Sequence, residues 1–278
     1  MLKEIYKHAI NNRQNIISIL NNHKFKDITQ KAKENWVSYI PKKKKNVLYG
    51  IDSSYNSIKF QGLELWAVDA VSIKITSDSN ARLFDMGLGK QNDNLGSISS
   101  KMEIQACEQT IDLADLVLMD GSIYSHFTTK HTPLRQIKDI ITKKDNVVFI
   151  SKTSNSNMQF SKFYSMAADI FYYNHATRNT GFSNLFVDET HGKSQIITTT
   201  YARLNEDTPI MKIELMGGNH TEKGIMLIMD SLISESVGGY PRSLAMAHDE
   251  CKISTKDLRK LVSLFGISNE IGSRDLLE

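Results

Sequence analysis

The sequence predicts an α/β protein, a mixed sheet flanked by helices with helical extensions at its N- and C-terminal ends. Three observations lead there. Short apolar runs such as "NVLYGIDSSY", "LVLMDGS" and "NVVFISKTS" alternate with longer stretches whose apolar residues recur at helical spacing. Between Asn46 and Gly89, three strand-like segments follow one another with only short turns between them. Both ends of the chain have the helical spacing and lack the strand pattern.

Taken in order, residues 1–38 place Ile5, Ile10, Ile16, Ile17 and Leu20 at helical spacing, which predicts one or two amphipathic helices ending near Pro41. After the run Lys42 to Lys45, "NVLYGIDSSY" reads as a short strand ending at Asp52. "LELWAVDAVSIKIT" and "ARLFDMGLG" complete an antiparallel meander. The polar stretch 92–100 is a loop, "SSKMEIQACEQTIDLAD" a helix, and "LVLMDGS" a strand that stops at Asp120. "PLRQIKDIITKK" reads as a helix and "NVVFISKTS" as a strand ending near Lys152. A further helix is expected around residues 160–168, then strands at "SQIITTTYARL" and "PIMKIEL". Helices over 222–236, 241–251 and 255–265 close the pattern. The expected division is an N-terminal helical extension (1–45), a main domain (46–252) and a C-terminal helical segment (253–278).

Composition sets the bounds. The 278 residues are 40% hydrophobic, ample for one contiguous core. Cys107 and Cys251 are too far apart in sequence for a zinc cluster and too few for a disulfide scaffold, so a reducing cytoplasm is expected. The first twenty residues are too polar for a secretory signal, and no apolar run approaches the roughly 18 residues of a membrane span. Net charge is +3, unevenly spread: residues 1–46 hold eleven Lys/Arg against three Asp/Glu, the remainder 23 against 28. A basic end of this kind suits a polyanion, although a lysine run is more often a solvated linker.

Three acids stand out by their order: Asp52 on the first meander strand, Glu103 on the following helix, Asp120 at the tip of the next strand. Each alone has a bland reading. Asp52 followed by two serines and Asp120-Gly-Ser both suit ordinary turns, and Ser100-x-x-Glu103 suits a capping box. At about 100° per residue, however, Glu103 falls with Ile104, Cys107, Ile111 and Ala114, while Gln105, Glu108, Gln109 and Asp112 gather opposite. Glu103 is thus expected to point inward, where a carboxylate must be paired, protonated or bound to a cation. The order of the acids is that of ribonuclease H-like nucleases. Hard divalent cations prefer oxygen ligands, and a pair of ions roughly 4 Å apart can hold both the attacking water and the leaving oxygen of a phosphodiester.

Over residues from about Asn46 to Cys251, the sequence resembles the NurA family of archaeal and bacterial DNA-end-processing nucleases. "LYGIDSSY", the helix at Glu103 and "LVLMDGS" match its three acidic motifs; "FISKTSNS" resembles its lysine motif; "TTTYARL" with "PIMKIEL" resembles its tyrosine-bearing strand pair. "GGYPRSLAMAHDECKIS" resembles its tyrosine-proline, alanine-histidine signature and is the most specific. Ser53 stands where the family commonly has glycine. The resemblance implies that Asp52, Glu103 and Asp120 ligate manganese or magnesium and that His248, Lys152 and Tyr201 complete the site, His248 as a further ligand or proton carrier. It also implies 5′ to 3′ exonuclease activity on single- and double-stranded DNA, single-strand endonuclease activity, and a homodimer working with a hexameric HerA-type ATPase and with Mre11 and Rad50. An alternative in another class is a catalytically inactive or weak DNA-binding platform for such an ATPase; a third is an RNA-directed enzyme of the same fold.

Overall fold

The computed structural model describes residues 2–20, 23–75, 81–89, 94–124, 139–141, 144–188 and 196–267. At the N-terminal end α1 (Lys3–Asn11), the short α2 (Arg13–Ile16) and α3 (His23–Glu34) follow the expected helical spacing. The helical reading fails at β1 (Trp36–Ser38), which pairs antiparallel with β7 (Gly181–Ser183). An aromatic and a β-branched residue in succession suit a pleated edge better than a last helical turn.

The central strands explain where the site lies. Strand β2 (Leu48–Phe60) pairs antiparallel with β3 (Leu63–Ile73) along its whole length, and β3 with β4 (Ala81–Gly89). On its other side β2 runs parallel to β5 (Leu116–Asp120), and β5 parallel to β6 (Val147–Ser151). The order β4-β3-β2-β5-β6, three antiparallel strands followed by two parallel ones, is the ribonuclease H-like arrangement expected from the acids. β10 (Met211–Met216), β9 (Ile197–Arg203), β7 and β1 extend the sheet antiparallel beyond β6, and β8 (Phe186–Asp188) also pairs with β9. Because helices cover both faces, β6, β9 and β10 are buried at every residue, and the first five residues of β2 are buried in succession.

Helix α4 (Leu95–Thr110) packs Ile104, Ala106 and Cys107 against Tyr49, Ile51, Val117 and Met119 on one face. On the other, α6 (Glu222–Ile233) and α7 (Arg242–Cys251) pack Ile225, Met229, Leu232 and Leu244 against Leu48, Leu118, Val148 and Ile150. The helix expected at 160–168 is displaced: α5 spans Asp169–Ala176, after a single 3₁₀ turn at Ser161–Phe163. Asp169 accounts for the shift, since its carboxylate accepts the backbone N–H groups of Gln159 and Phe160 and folds the preceding segment back on the helix start. α5 and α3 share an aromatic cluster of Phe160, Tyr172, Tyr173 and Tyr201 with Ile28. Helix α8 (Thr255–Leu264) starts at a Ser254–Asp257 capping box. Most of the helix expected over 133–144 lies outside the described residues; 139–141 are helical.

Helix α7 crosses β2 at Gly50, where an added Cβ would meet the Ser243 carbonyl carbon at 2.4 Å and the Leu244 nitrogen at 2.5 Å. Both neighbours are backbone, so neither element can yield without moving whole. Gly50→Ala is therefore expected to cost about 1–3 kcal/mol by overpacking, read as a lowered denaturant midpoint, and to displace α7 from β2.

Candidate active site

The strands of the parallel pair separate at the first polar residue of each. Ile51 stands beside Met119 in the last register pair of β2 with β5, and the next residues are Asp52 and Asp120. Parallel neighbours lie about 4.8 Å apart, and residues in register point to the same face. Leu48 and Leu118 lie in the core under α6 and α7, so two residues of alternation per step put both carboxylates on the α7 face. β2 does not end at Asp52, as the sequence suggested: β3 supports it for eight further residues, making Asp52 a rigid mid-strand position.

Helix α7 brings His248 to this fork. Its Nδ1 donates to Asp52 Oδ2 at 2.8 Å, and one ligand atom from each of Asp52, Asp120 and His248 lies within 4.8 Å of the others. Asp52 is buried, and its carboxyl is raised above the ordinary range, first by burial and then by the charge of Asp120. The hydrogen bonds from His248 and the Ser53 N–H act in the opposite direction without cancelling the rise. Asp120 accepts a hydrogen bond from the Tyr240 hydroxyl at 2.7 Å. A two-glycine turn, Gly238-Gly239 with φ of 59° and 83°, closes the hairpin of β11 (Ser236–Val237) and β12 (Tyr240–Pro241) and sets Tyr240 against the fork. Burial and the neighbouring carboxylates push the Tyr240 phenol upward, keeping it a donor.

Glu103 approaches from the opposite face. Helix α4 begins at the N-cap Asn94, whose side chain accepts the Gly96 N–H at 2.9 Å, so Glu103 is mid-helix and the capping-box reading is excluded. Its inward phase is as expected: Glu103 is buried while Gln105, Glu108 and Gln109 are exposed. It does not join the three-residue cluster directly. Ser53 Oγ donates to Glu103 Oε1 and also contacts Ser99 Oγ, so this side chain ties Glu103 to the residue next to Asp52. Burial raises Glu103 to about 8, with smaller upward contributions from Asp52 and Asp120 and a downward one from Ser53.

Lys152, just past β6, lines a cleft of about 820 Å³ with Asp120 and His248, and its Nζ lies 4.3 Å from the Tyr240 ring centroid. Tyr201 is not brought to this cleft. It is 0% exposed, its ring 5.2 Å from Tyr173 and its hydroxyl 3.5 Å from Asp169, so it fills the aromatic core instead of facing a substrate.

A second polar group under the same cleft was not legible in the sequence. Lys212 (3% exposed) and Glu214 (0%) form a buried ion pair on β10. Glu214 Oε2 also accepts from Ser122 Oγ at 2.7 Å and from the Ile123 N–H at 3.0 Å, anchoring the turn that follows Asp120. Tyr124 donates to Asp188 beside Lys212, and both line the cleft.

With this geometry established, comparison with known proteins is direct. The family model described as the NurA domain matches residues 100–253, more than half of the chain. The chain belongs to the NurA family. It is 23% identical to the DNA double-strand break repair nuclease NurA of Saccharolobus solfataricus, over 96% of each chain, and 23% identical to the protein of that name from Sulfurisphaera tokodaii, over 97% of each. Its fold matches the crystal structure of the NurA nuclease from Sulfolobus solfataricus with a TM-score of 0.81 at 21% identity, covering 96% of this chain and 97% of that one. It also matches a NurA structure bound to dAMP and manganese with a TM-score of 0.67 at 11% identity over the full length of both. The NurA model takes in Glu103, Asp120, Lys152, Tyr240 and His248 but begins after Asp52.

Two outcomes follow from the site. Without divalent cation, Glu103 is protonated in the folded protein up to about 8, against an ordinary 4.5. Its favourable contribution to stability is fully present below 4.5 and is lost as pH rises through about 8, because the folded state must then give up a proton the unfolded chain has already lost. Melts in chelator at pH 5, 6.5 and 8 should show that decline, and Glu103→Gln should flatten it. Glu214→Ala strands the buried Lys212 and releases the turn after Asp120. It is expected to cost about 3–5 kcal/mol in chemical denaturation and to weaken cation binding.

Proposed function

We propose that the chain is a divalent-metal-dependent deoxyribonuclease that hydrolyses phosphodiester bonds at the Asp52–Asp120–His248 fork. The observation that carries this is the convergence of two carboxylates in parallel register, on one face and beside an imidazole, at donor distances suited to a single ion. Hard cations take oxygen and imidazole donors at about 2.0–2.6 Å, so donors sharing an ion lie no more than about 4–5 Å apart. The set present here fits manganese or magnesium. Asp52, Asp120 and His248, with Glu103 as a further candidate ligand, would hold such a cation, which would supply Lewis-acid polarisation of the attacking water and of the leaving oxygen.

The chain's own residues do the rest. Asp52 is held by His248 and the Ser53 N–H, and Asp120 by Tyr240, so both carboxylates are oriented before substrate arrives. Lys152 projects into the cleft from beside Tyr240 and offsets charge on the phosphoryl oxygens. His248 lines the same cleft and acts either as a further ligand or, where it is not one, as the carrier of a proton to the leaving oxygen. Nothing in the cleft needs to act as a covalent nucleophile. The 5′ to 3′ polarity, the single-strand endonuclease activity and the work with a HerA-type ATPase and Mre11–Rad50 are carried over from the family resemblance. A homodimer is supported by the exposed apolar residues of the N-terminal helices, Ile5, Tyr6, Ile10 and Ile16 among them, since α1 buries none of its residues within this chain.

End-labelled single-stranded DNA incubated with the pure protein should be cut in Mn²⁺ and left intact with excess chelator. Asp120→Ala should lower the cleavage rate by about a hundredfold or more while circular dichroism and DNA binding are retained. Cleavage that survives either treatment removes the proposal. Matched RNA, offered in parallel, tests whether the deoxyribose is required.

A further inference from the structure

The lysine run that the sequence left unassigned is not a loose linker. Asp230 on α6 accepts both the Tyr39 hydroxyl, at 2.8 Å, and the Lys42 N–H, at 2.7 Å. The Lys44 N–H donates to the Asp230 carbonyl at 3.0 Å, and the Asn46 amide donates to Ser231 Oγ at 2.6 Å. The backbone of residues 42–46 is thereby fastened along α6. Successive side chains of an extended chain alternate, and here Lys43 and Lys45 line a cleft of about 890 Å³ together with Lys74 and Arg242. Among the described residues of its lining, four are cationic. The acid in its lining, Glu235, is engaged by Ser243 Oγ.

The position of this cleft is what gives it meaning. Arg242 opens α7 and His248 lies six residues further along, a rise of about 9 Å. Leu48 lies in the cleft lining and Asp52 four residues along β2, about 13 Å at strand spacing. The cleft and the carboxylate fork therefore stand at the two ends of the contact between α7 and β2, which Gly50 fixes. A strand engaging both sites would pass around that closed contact, so the roughly 9–13 Å along the elements is a lower limit on the length it spans.

We propose that this cleft is a second phosphate-binding subsite, in which Lys43, Lys45, Lys74 and Arg242 grip the backbone of the DNA strand cleaved at the fork. The proposal rests on the nuclease reading for its substrate but not for its test. An acidic protein segment would be attracted by the same charges; the short, fixed spacing from the fork favours the strand being cut.

The test is the triple variant Lys43→Gln/Lys45→Gln/Lys74→Gln, none of whose positions touches the fork. Binding of a fluorescent 20-nucleotide single strand is measured by anisotropy in chelator, over a range of salt concentrations, so that no cleavage is needed. If the subsite exists, affinity near 0.1 M salt falls at least tenfold, and the slope of log K against log salt loses about 2 units, about 0.7 per cation removed. Cleavage of the same strand in Mn²⁺ falls in parallel at sub-saturating DNA. Hydrolysis of thymidine 5′-p-nitrophenyl phosphate, too short to reach the cleft, stays at the wild-type rate. Unchanged DNA affinity and salt slope in a variant with wild-type melting temperature overturn the proposal. Failure of the wild type to cleave either substrate sinks the nuclease reading instead and leaves the binding comparison intact.

Discussion

Two carboxylates held in register on neighbouring parallel strands repel each other, and the surrounding structure is arranged to keep them there. Asp52 and Asp120 cannot swing apart freely, because β2 is paired on both sides up to Ile51 and on one side beyond it, and β5 is flanked by β2 and β6. The repulsion appears in the upward shift of Asp52, for which the charge of Asp120 is second only to burial. Hydrogen bonds from His248, the Ser53 N–H and Tyr240 reduce the strain without removing it. A doubly charged cation held there would remove it, turning the term that costs stability into binding free energy.

That constraint accounts for features distant from the fork. Gly50 is required because α7 must sit directly on β2 for His248 to reach Asp52. The Gly238-Gly239 turn is required because Tyr240 must return immediately before α7 begins. Glu214 is buried with Lys212 because the chain leaving Asp120 needs a fixed acceptor for its Ser122 hydroxyl and Ile123 N–H. Each of these would be a defect in a protein selected for stability alone: a flexible residue in a strand, two in a turn, an ion pair in the core. Together they set the distance and direction of the donor atoms.

What the sequence revealed followed from periodicity, and what it concealed followed from burial on two faces. The phase of α4 was readable because one side of that helix is wet, and it separated Glu103 from Glu108 correctly. The meander and the parallel strand after α4 were readable from their spacing. By contrast, β10 is buried throughout, so alternation in "PIMKIEL" no longer distinguishes core from solvent, and nothing in it marks Lys212 and Glu214 as a buried pair. Tyr201, on an equally enclosed strand, was read as near the chemistry when it fills an aromatic core. Tyr240 was quoted within its motif but not placed in the site; the two glycines preceding it were the available signal, since such a pair fixes a tight hairpin. The extent of β2 beyond Asp52 was hidden because two serines after an acid imitate a turn, whereas pairing with β3 decides the matter.

The position of Glu103 carries the remaining step. It reaches the fork through Ser53 rather than standing among the three donors, and it is neutral below about 8 unless a cation is present. A neutral carboxyl adds no repulsion to the Asp52–Asp120 pair, so the metal-free fold avoids the cost of a third charge. Cation binding at neutral pH must then expel the Glu103 proton if this carboxylate is to become a ligand, and Ser53 must release it. On the proposed reading, the fork of Asp52, Asp120 and His248 would provide the initial hold for a cation, and Glu103 would join it only on losing its proton.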